Sequence, residues 1–460
     1  MNIIQQAMEI IIRSYADNLE KALRGRVDFS DMVMEIEQDF RKTASIMVQD
    51  ILENLDQAVK ESKVRKRDWY VERSADEKTL HTVLGEIRYK RTYYVHKKTG
   101  AYAYLSDEQV NIEPHERMDA GLKARILEHA STMSYQETID KLSYSGITSK
   151  MSVLNVLRRT EPISNMAVET PDRKDRTPEI LYIEADEDHV SLQSGSSTIS
   201  KIAYVHEGRK QVYKNRFELI NKRYFTALSD NESLWLDIAD YLEKTYDMDK
   251  VKTVFISGDG ASWIKEGTSW IDKGKYVMDR FHFQKAIRRA TAHMEHAREP
   301  LQKYMRKGMK RAVFDLLDEI ISKTESKSKR KAVQDVRTYF WNNWVGIQRQ
   351  KAKGYVGCSA EGHVSHVLSD RLSSRPMGWS KQGMKQMSSM RVFKGNGGNF
   401  HEYLKTEYDQ LRTAERILKL DKRILQKAKK VSGGVIPNVT FMTQGKRSGT
   451  SVILKSIRGL

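Results

Sequence analysis

Cysteine is almost absent from this chain: Cys358 is the single thiol in 460 residues. One thiol excludes an internal disulfide and any cysteine-rich zinc module, and it fits a reducing compartment. Proline is also scarce, at 7 residues. Two of these, Pro171 and Pro178, bracket a stretch without any apolar residue, which reads as a linker. No apolar run approaches the ~20 residues that a helix needs to cross a bilayer. Met1 to Asp17 is helical in period but carries Glu9 and no basic leader, so it does not read as a signal peptide. A soluble, cytoplasmic protein without a membrane partner is expected. Acid is outnumbered by base, 61 Asp plus Glu against 79 Lys plus Arg, for a formal net charge of +18. That excess is the footprint of a protein that lies along phosphates. It is spread over the whole chain, without the compact amphipathic anchor of a lipid-binding segment, so nucleic acid is the expected partner.

At roughly 100 to 200 residues per domain, the length allows about two to four domains. Residues 1–68 read as a helical module, with Ile11, Ile12 and Tyr15, then Met32, Ile36 and Phe40, recurring at three or four residues. The period then changes. Thr82 to Val95 alternates Ile87, Tyr89 and Arg91 with polar or basic neighbours, and Lys98-Thr99-Gly100 makes a turn before Tyr102 to Tyr104. Residues 69–112 are therefore expected to form a small antiparallel sheet with Arg and Tyr on one exposed face. Such a face suits phosphate and base contacts, although Tyr and Arg also populate ordinary two-sided sheets. Residues 113–165 carry a helix-turn-helix pattern: Tyr135 to Leu142, a turn with Gly146, then Ser149 to Arg159. Its second helix would offer Lys150, Asn155, Arg158 and Arg159 to a groove. The same pattern is common in helical proteins that bind no DNA.

After the linker, Ile180 to Leu192, Thr198 to Val205 and Arg223 to Leu228 read as three successive strands. Ser229-Asp230-Asn231-Glu232 matches a capping box, Ser229 and Glu232 being its partners, for a helix ending at Tyr246. Val251 to Ile256 is continuously apolar, as a strand covered on both faces should be. Lys275 to Met278 makes a fifth strand and Phe281 to Arg298 a helix. This order is that of a ribonuclease-H-like α/β core, its first part spanning residues 179–290. Residues 291–357, helical and very basic, read as an all-helical insertion. A helix from Ser359 to about Asp370 closes the core within 358–395. Residues 396–460 hold a helix from His401 to Lys430 and a basic tail.

Three acids lie at the expected points of that topology. Asp186 follows the apolar run Ile180 to Ile183, Asp259 ends the strand Val254 to Ile256 in a Ser-Gly-Asp-Gly turn, and Glu361 opens the closing helix. Each has an ordinary alternative: Asp259 is a good turn former, and Glu361 complements a helix N-terminus. Jointly they make a magnesium set, because carboxylates are the ligands Mg²⁺ prefers. Two such ions about 3.5 to 4 Å apart serve both the attacking and the leaving oxygen of a phosphodiester. Asp186 would bridge the ions, with Asp259 on one and Glu361 on the other, and Mn²⁺ could substitute. Glu184, Asp186 and Asp188 share one strand face by alternation, so Asp188 stands as the alternative first acid. Arg280, Lys285, Arg288 and Arg289, a run from Lys303 to Arg311, and Arg371, Arg375 and Lys381 supply cations around the acids for phosphate contacts. Trp379 is either a stacking platform for a displaced base or a core residue.

A series of segments carries a family likeness: Glu184-Ala185-Asp186, Ser257-Gly258-Asp259-Gly260-Ala261-Ser262-Trp263-Ile264, Asp279-Arg280-Phe281-His282, Ala360-Glu361-Gly362-His363-Val364 and Leu372-Ser373-Ser374-Arg375-Pro376-Met377-Gly378-Trp379. Together they resemble the Lre-type insertion-sequence transposases, long known only as an uncharacterised protein family and similar to Mutator-like transposases. The resemblance runs over most of the chain. It implies a bacterial, nucleoid-associated DDE transposase that cuts and joins double-stranded DNA at its element's ends with Mg²⁺, acting as a homo-oligomer. Many members have Gly after the first Asp where this chain has Glu187, which leaves the choice between Asp186 and Asp188 open. Asp279 and His282 match the Asp/Cys-x-x-His signature of the Mutator-like group. At that spacing His282 could contact phosphate, orient a neighbour or, less readily, ligate metal; the alternative is a helix-capping Asp beside a packed His. Two rival readings are a DNA-binding regulator without chemistry, such as a decayed transposase, and a cellular ribonuclease-H-like nuclease.

Overall fold

The computed structural model describes residues 3–214, 216–375 and 377–411. Two compact units divide the chain, one made of Met1–Ala130, Ser134–Val156 and the segment from Phe400, the other of Ser131–Met133 and Leu157–Asn399.

The first unit opens with helices Ile3–Leu23, Phe29–Glu61 and Lys63–Asp68. Asp28 starts the second of these by accepting the Ser30 amide at 2.8 Å, which satisfies one of the orphan donors of a helix start. A three-stranded antiparallel sheet follows, ordered β1 (Trp69–Thr82), β2 (Gly85–His96), β3 (Tyr102–Ala103). Two features differ from the sequence expectation. Residues Trp69 to Thr82 are a long strand, and Val83 and Leu84 make the turn instead of continuing β2. The face carrying Ile87, Tyr89 and Arg91 is buried, while Glu86, Arg88 and Lys90 point to solvent. The reason is Asp107, only 1% exposed. It accepts from Tyr89 at 2.7 Å and from Lys78 at 3.3 Å, and pairs with Arg91, so the tyrosine and the cations satisfy a buried carboxylate.

Helices Ala120–Ala130 and Tyr135–Lys141 come next, the latter started by a capping box between Ser134 and Glu137. The chain turns at Gly146, whose φ of +77° lies in the left-handed region that glycine favours. It then enters the helix Lys150–Arg159, where Lys150, Asn155, Arg158 and Arg159 are all exposed.

The second unit is built on a mixed five-stranded sheet. Its members are β4 (Ile180–Ser191), β5 (Ser197–His206), β8 (Arg223–Thr226), β9 (Thr253–Gly258) and β10 (Gly274–Met278), in the spatial order β10-β9-β4-β5-β8. β4, β5 and β8 run antiparallel, whereas β9 and β10 extend the sheet in parallel with β4. Between β5 and β8 the chain forms a separate two-stranded hairpin, β6 (Arg209–Tyr213) and β7 (Arg216–Leu219), that the sequence pattern did not suggest. Leu181, Ile183, Val254 and Ile256 pack in one core with Leu234, Trp235 and Ile238 of the helix Asn231–Thr245. Each such side chain contributes roughly 1.5–3 kcal/mol on burial. That helix is capped one residue later than expected. Asp230 is its N-cap, accepting the Ser233 amide at 2.8 Å with Ser233 completing the box, because a carboxylate outcompetes the Ser229 hydroxyl for the amide.

Helices Ser262–Trp270 and Arg280–Thr291 flank β10. The expected run of Phe281 to Arg298 therefore stops at Thr291. Three helices, Arg298–Lys307, Lys310–Lys323 and Lys327–Gln348, precede the short helix Ala360–Val364. The closing helix is also interrupted, by a π-helical turn at Ser365–Ser369 before Asp370–Leu372. Helices Lys381–Gly395 and Phe400–Leu411 complete the described residues, and the remainder of the expected helix to Lys430, with the basic tail, lies outside them. Among the described residues, no helix is long and apolar enough to cross a membrane. The fold class is thus mixed α/β, mostly helical, with a mixed five-stranded sheet in the second unit.

Candidate metal centre

The parallel register of β4 and β9 runs from Ile180 with Thr253 to Glu184 with Ser257, ending two residues before Asp186 on one strand and two before Asp259 on the other. Close approach here depends on Gly258, where a Cβ would fall 2.7 Å from the Ala185 carbonyl oxygen and 2.6 Å from Ile264 Cδ1. Gly260, at φ +100°, then turns the chain into the helix Ser262–Trp270, and Asp259 Oδ1 accepts the Ala261 amide at 2.9 Å.

Asp186, His282 and Glu361 each offer one ligand atom within 4.8 Å of the others. Asp186 is buried, His282 half-buried and Glu361 exposed. Burial pushes the Asp186 carboxyl up to about 6; the amide of Glu187 and the nearby His282 oppose the rise, while Asp259 and Glu361 add to it. The Asp259 charge is thus felt at Asp186, although its oxygens are outside the 4.8 Å group. A buried acid crowded by two others is the electrostatic state that a divalent cation relieves.

His282 enters the group through Asp279. This aspartate is 3% exposed and caps the helix Arg280–Thr291 by accepting the Phe281 amide at 3.2 Å. Its other oxygen accepts from His282 Nδ1 at 2.9 Å. That bond raises the imidazole's pKa, helped by Asp186 and Asp259 and opposed by burial. With Nδ1 so engaged, Nε2 is left for a ligand, the carboxylate–imidazole arrangement that orients metal-binding histidines.

Asp188 takes a different place. It is 8% exposed, its Oδ1 accepts from Ser373 at 2.8 Å, and it stands outside the group. Glu187 accepts from Trp263 Nε1 at 3.0 Å, so its side chain pins the helix that follows Asp259.

The spacing did not single out Glu184. This carboxylate is 2% exposed and takes four hydrogen bonds: from His206 Nε2 at 3.0 Å, from the Tyr204 hydroxyl, and from Ser359 through its amide at 2.5 Å and its Oγ at 3.0 Å. Burial opposes its ionisation, yet these bonds, led by His206, hold its pKa below the usual range. A glutamate in an apolar strand two residues before a candidate ligand was the available signal.

The predicted cations divide. Lys285 and Arg289 line an open cleft of 390 Å³ together with Asp259, His282, Asp335 and Tyr339, and Arg289 also reaches Asp335 at 3.2 Å. Arg280 and Arg375 are exposed. Arg371 is not available to a phosphate as expected: it is 5% exposed, with its guanidinium 4.9 Å from the Trp379 ring centroid. Trp379 is a core residue, donating to the Leu372 carbonyl at 3.0 Å.

The chain matches the model of an uncharacterised protein family, UPF0236, over residues 23–409. A UPF0236 protein of Caldanaerobacter subterraneus subsp. tengcongensis is 35% identical over 461 residues, covering 99% of this chain and 97% of the relative. A second from that organism is 35% identical over 464 residues, covering 99% and 97%. A UPF0236 protein of Streptococcus gallolyticus is 24% identical over 394 residues, covering 83% and 86%. Among solved structures, a chain of the Drosophila P element transposase strand transfer complex aligns at 11% identity and a TM-score of 0.22, over 69% of this chain and 87% of that one. On the extent of the family match and of these relatives, the chain belongs to the uncharacterised protein family UPF0236.

Proposed function

We propose that this chain is a DDE-type transposase that cuts and joins DNA at the ends of a mobile element, using a ribonuclease-H-like core and divalent metal. The observation that carries the reading is the gathering of Asp186, His282 and Glu361 within 4.8 Å, with the Asp259 charge acting on Asp186. The sheet order, three antiparallel strands extended by two parallel ones, supports the fold assignment. A further support comes from the family: one relative's name joins a string of separate locus designations, as expected of a coding region that copies itself within a genome.

The donor set fits the expected ion, since carboxylate oxygens are what Mg²⁺ and Mn²⁺ take, and an imidazole nitrogen adds a donor of softer character. Bound there, a pair of divalent ions would activate the attacking oxygen and stabilise the leaving oxygen of the phosphodiester. Asp186, Asp259 and Glu361 are the proposed carboxylate ligands. His282, held at Nδ1 by Asp279, would supply Nε2 as a further ligand. Lys285 and Arg289 hold the phosphate in the adjoining cleft by charge. Double-stranded DNA is the proposed substrate, and a homo-oligomer on paired ends the proposed working form.

The test uses the full chain and a supercoiled plasmid carrying the DNA that flanks the coding region. Asp259→Asn and Glu361→Gln should leave plasmid binding intact and abolish Mg²⁺-dependent nicking. Nicking that survives both substitutions would overturn the metal assignment. Binding without nicking by the unsubstituted chain favours a regulator, and cleavage of RNA–DNA hybrid without joining favours a cellular nuclease.

A further inference from the structure

The β6–β7 hairpin has no place in the sheet or in the core. Every described residue of its strands is exposed except Leu219, which is partly covered. Tyr213 is 78% and Phe217 48% exposed, an unusual placement for two rings on a ribbon this short. Arg209, Lys210, Lys214 and Arg216 surround them, with Glu218 the one acid, 4.0 Å from Lys210. The Arg209 guanidinium lies 4.7 Å from the Phe217 ring centroid, which holds a cation and an aromatic face together at the surface.

The hairpin overhangs a cavity of 510 Å³ whose walls include Arg209, Arg216, Phe217, Lys222, Ser359 and His363. Glu184 also lines it and shares a face of β4 with Asp186 two residues on, so the cavity and the candidate metal centre draw on the same strand. The carboxylates at the cavity are Glu184 and Glu218. The first is buried and turned to His206, Tyr204 and Ser359, and the cations Arg209, Arg216 and Lys222 outnumber the two carboxylates.

We infer that this hairpin and cavity bind unpaired nucleotides of a DNA strand leaving the metal centre, with Arg209, Arg216 and Lys222 on phosphates and Phe217 and Tyr213 stacked on bases. A duplex offers its phosphates but hides its base faces, so exposed rings amid cations match a single strand. The inference rests on the proposed phosphodiester chemistry for its direction, and its test is independent of that chemistry.

Binding of a labelled 20-residue oligo-dT and of a duplex of equal length is measured by fluorescence anisotropy, with EDTA present and in the Glu361→Gln background. Tyr213→Ala with Phe217→Ala should weaken oligo-dT binding about tenfold while duplex binding stays within about twofold. Arg209→Ala with Arg216→Ala should flatten the salt dependence of oligo-dT binding. The hairpin is exposed, so both variants should keep the parent melting temperature, read in the same samples. Oligo-dT affinity unchanged in both variants overturns the inference, as does an equal loss for oligo-dT and duplex. Neither result bears on nicking, whose loss or survival judges the metal centre separately.

Discussion

The Ser359 amide donates to the Glu184 carboxylate at 2.5 Å, tying the start of the Glu361 helix to the strand that carries Asp186. Glu184→Gln keeps the shape but leaves one acceptor oxygen where three donors meet Oε2 and His206 meets Oε1, so an amide NH2 must face one of these donors. Expected is a loss of roughly 1–3 kcal/mol in urea unfolding, together with a weaker Mn²⁺ isotherm, because Glu361 is no longer held over Asp186. An unaltered isotherm in a destabilised variant would mean that the tie serves only folding.

Metal loading should depend on pH through Asp186, whose carboxyl burial pushes up to about 6. Below that value the group carries a proton that an arriving cation must displace, so apparent affinity falls as pH falls, by up to about tenfold per unit. Above it the carboxylate is bare, and the dependence continues until the His282 imidazole, whose pKa the Asp279 bond raises, has also lost the proton that blocks metal. Calorimetric titration of Mn²⁺ between pH 5 and pH 8 checks this, and a flat profile would remove Asp186 from the ligand set.

His282 separates two metals. Imidazole adds less to Mg²⁺ binding than to that of later divalent ions, so His282→Ala should cost Mn²⁺ affinity more than Mg²⁺ affinity. Asp279→Asn, which alters the partner of Nδ1, should reproduce part of that loss, on the order of tenfold. Equal losses for both ions would assign His282 to phosphate instead.

In the amino-terminal unit, Asp107 sits between Lys78, Arg91 and Tyr89. Asp107→Ala strands two buried cations and should destabilise the fold by about 3–5 kcal/mol. Because the lesion is far from the acids in the chain, its signature is an early unfolding transition in differential scanning calorimetry. A melting curve like the parent's would show that water replaces the carboxylate.

Much of this was legible where one physical pattern dominated. Val251 to Ile256 and Ile180 to Ile183 announce buried strands because both faces are covered, and Asp259 and Asp186 follow those apolar runs. β1 escaped because Trp69 to Thr82 is largely polar and exposed, and a residue at positive φ, Ala75, lies within its irregular register. β6 and β7 escaped for a related reason: a ribbon wetted on both faces has no alternation to read. Arg371 was misjudged since sequence cannot tell a guanidinium packed on indole from one offered to solvent. Glu184 was hidden by its company, as alternation ranks Glu184, Asp186 and Asp188 alike until the Ser359 amide is seen to choose one of them.

The order in which the proposed ligands leave the ribosome has a consequence for the cell. Asp186 lies on β4 and Asp259 directly follows its neighbour β9, but Glu361 comes only after β10 and five further α-helices. Synthesis at about 5–20 residues per second therefore separates the two aspartates from the glutamate by several seconds. Under the proposed chemistry, the growing polypeptide would through that interval carry its positive charge and both aspartates but not a complete ligand set, so it could not cut.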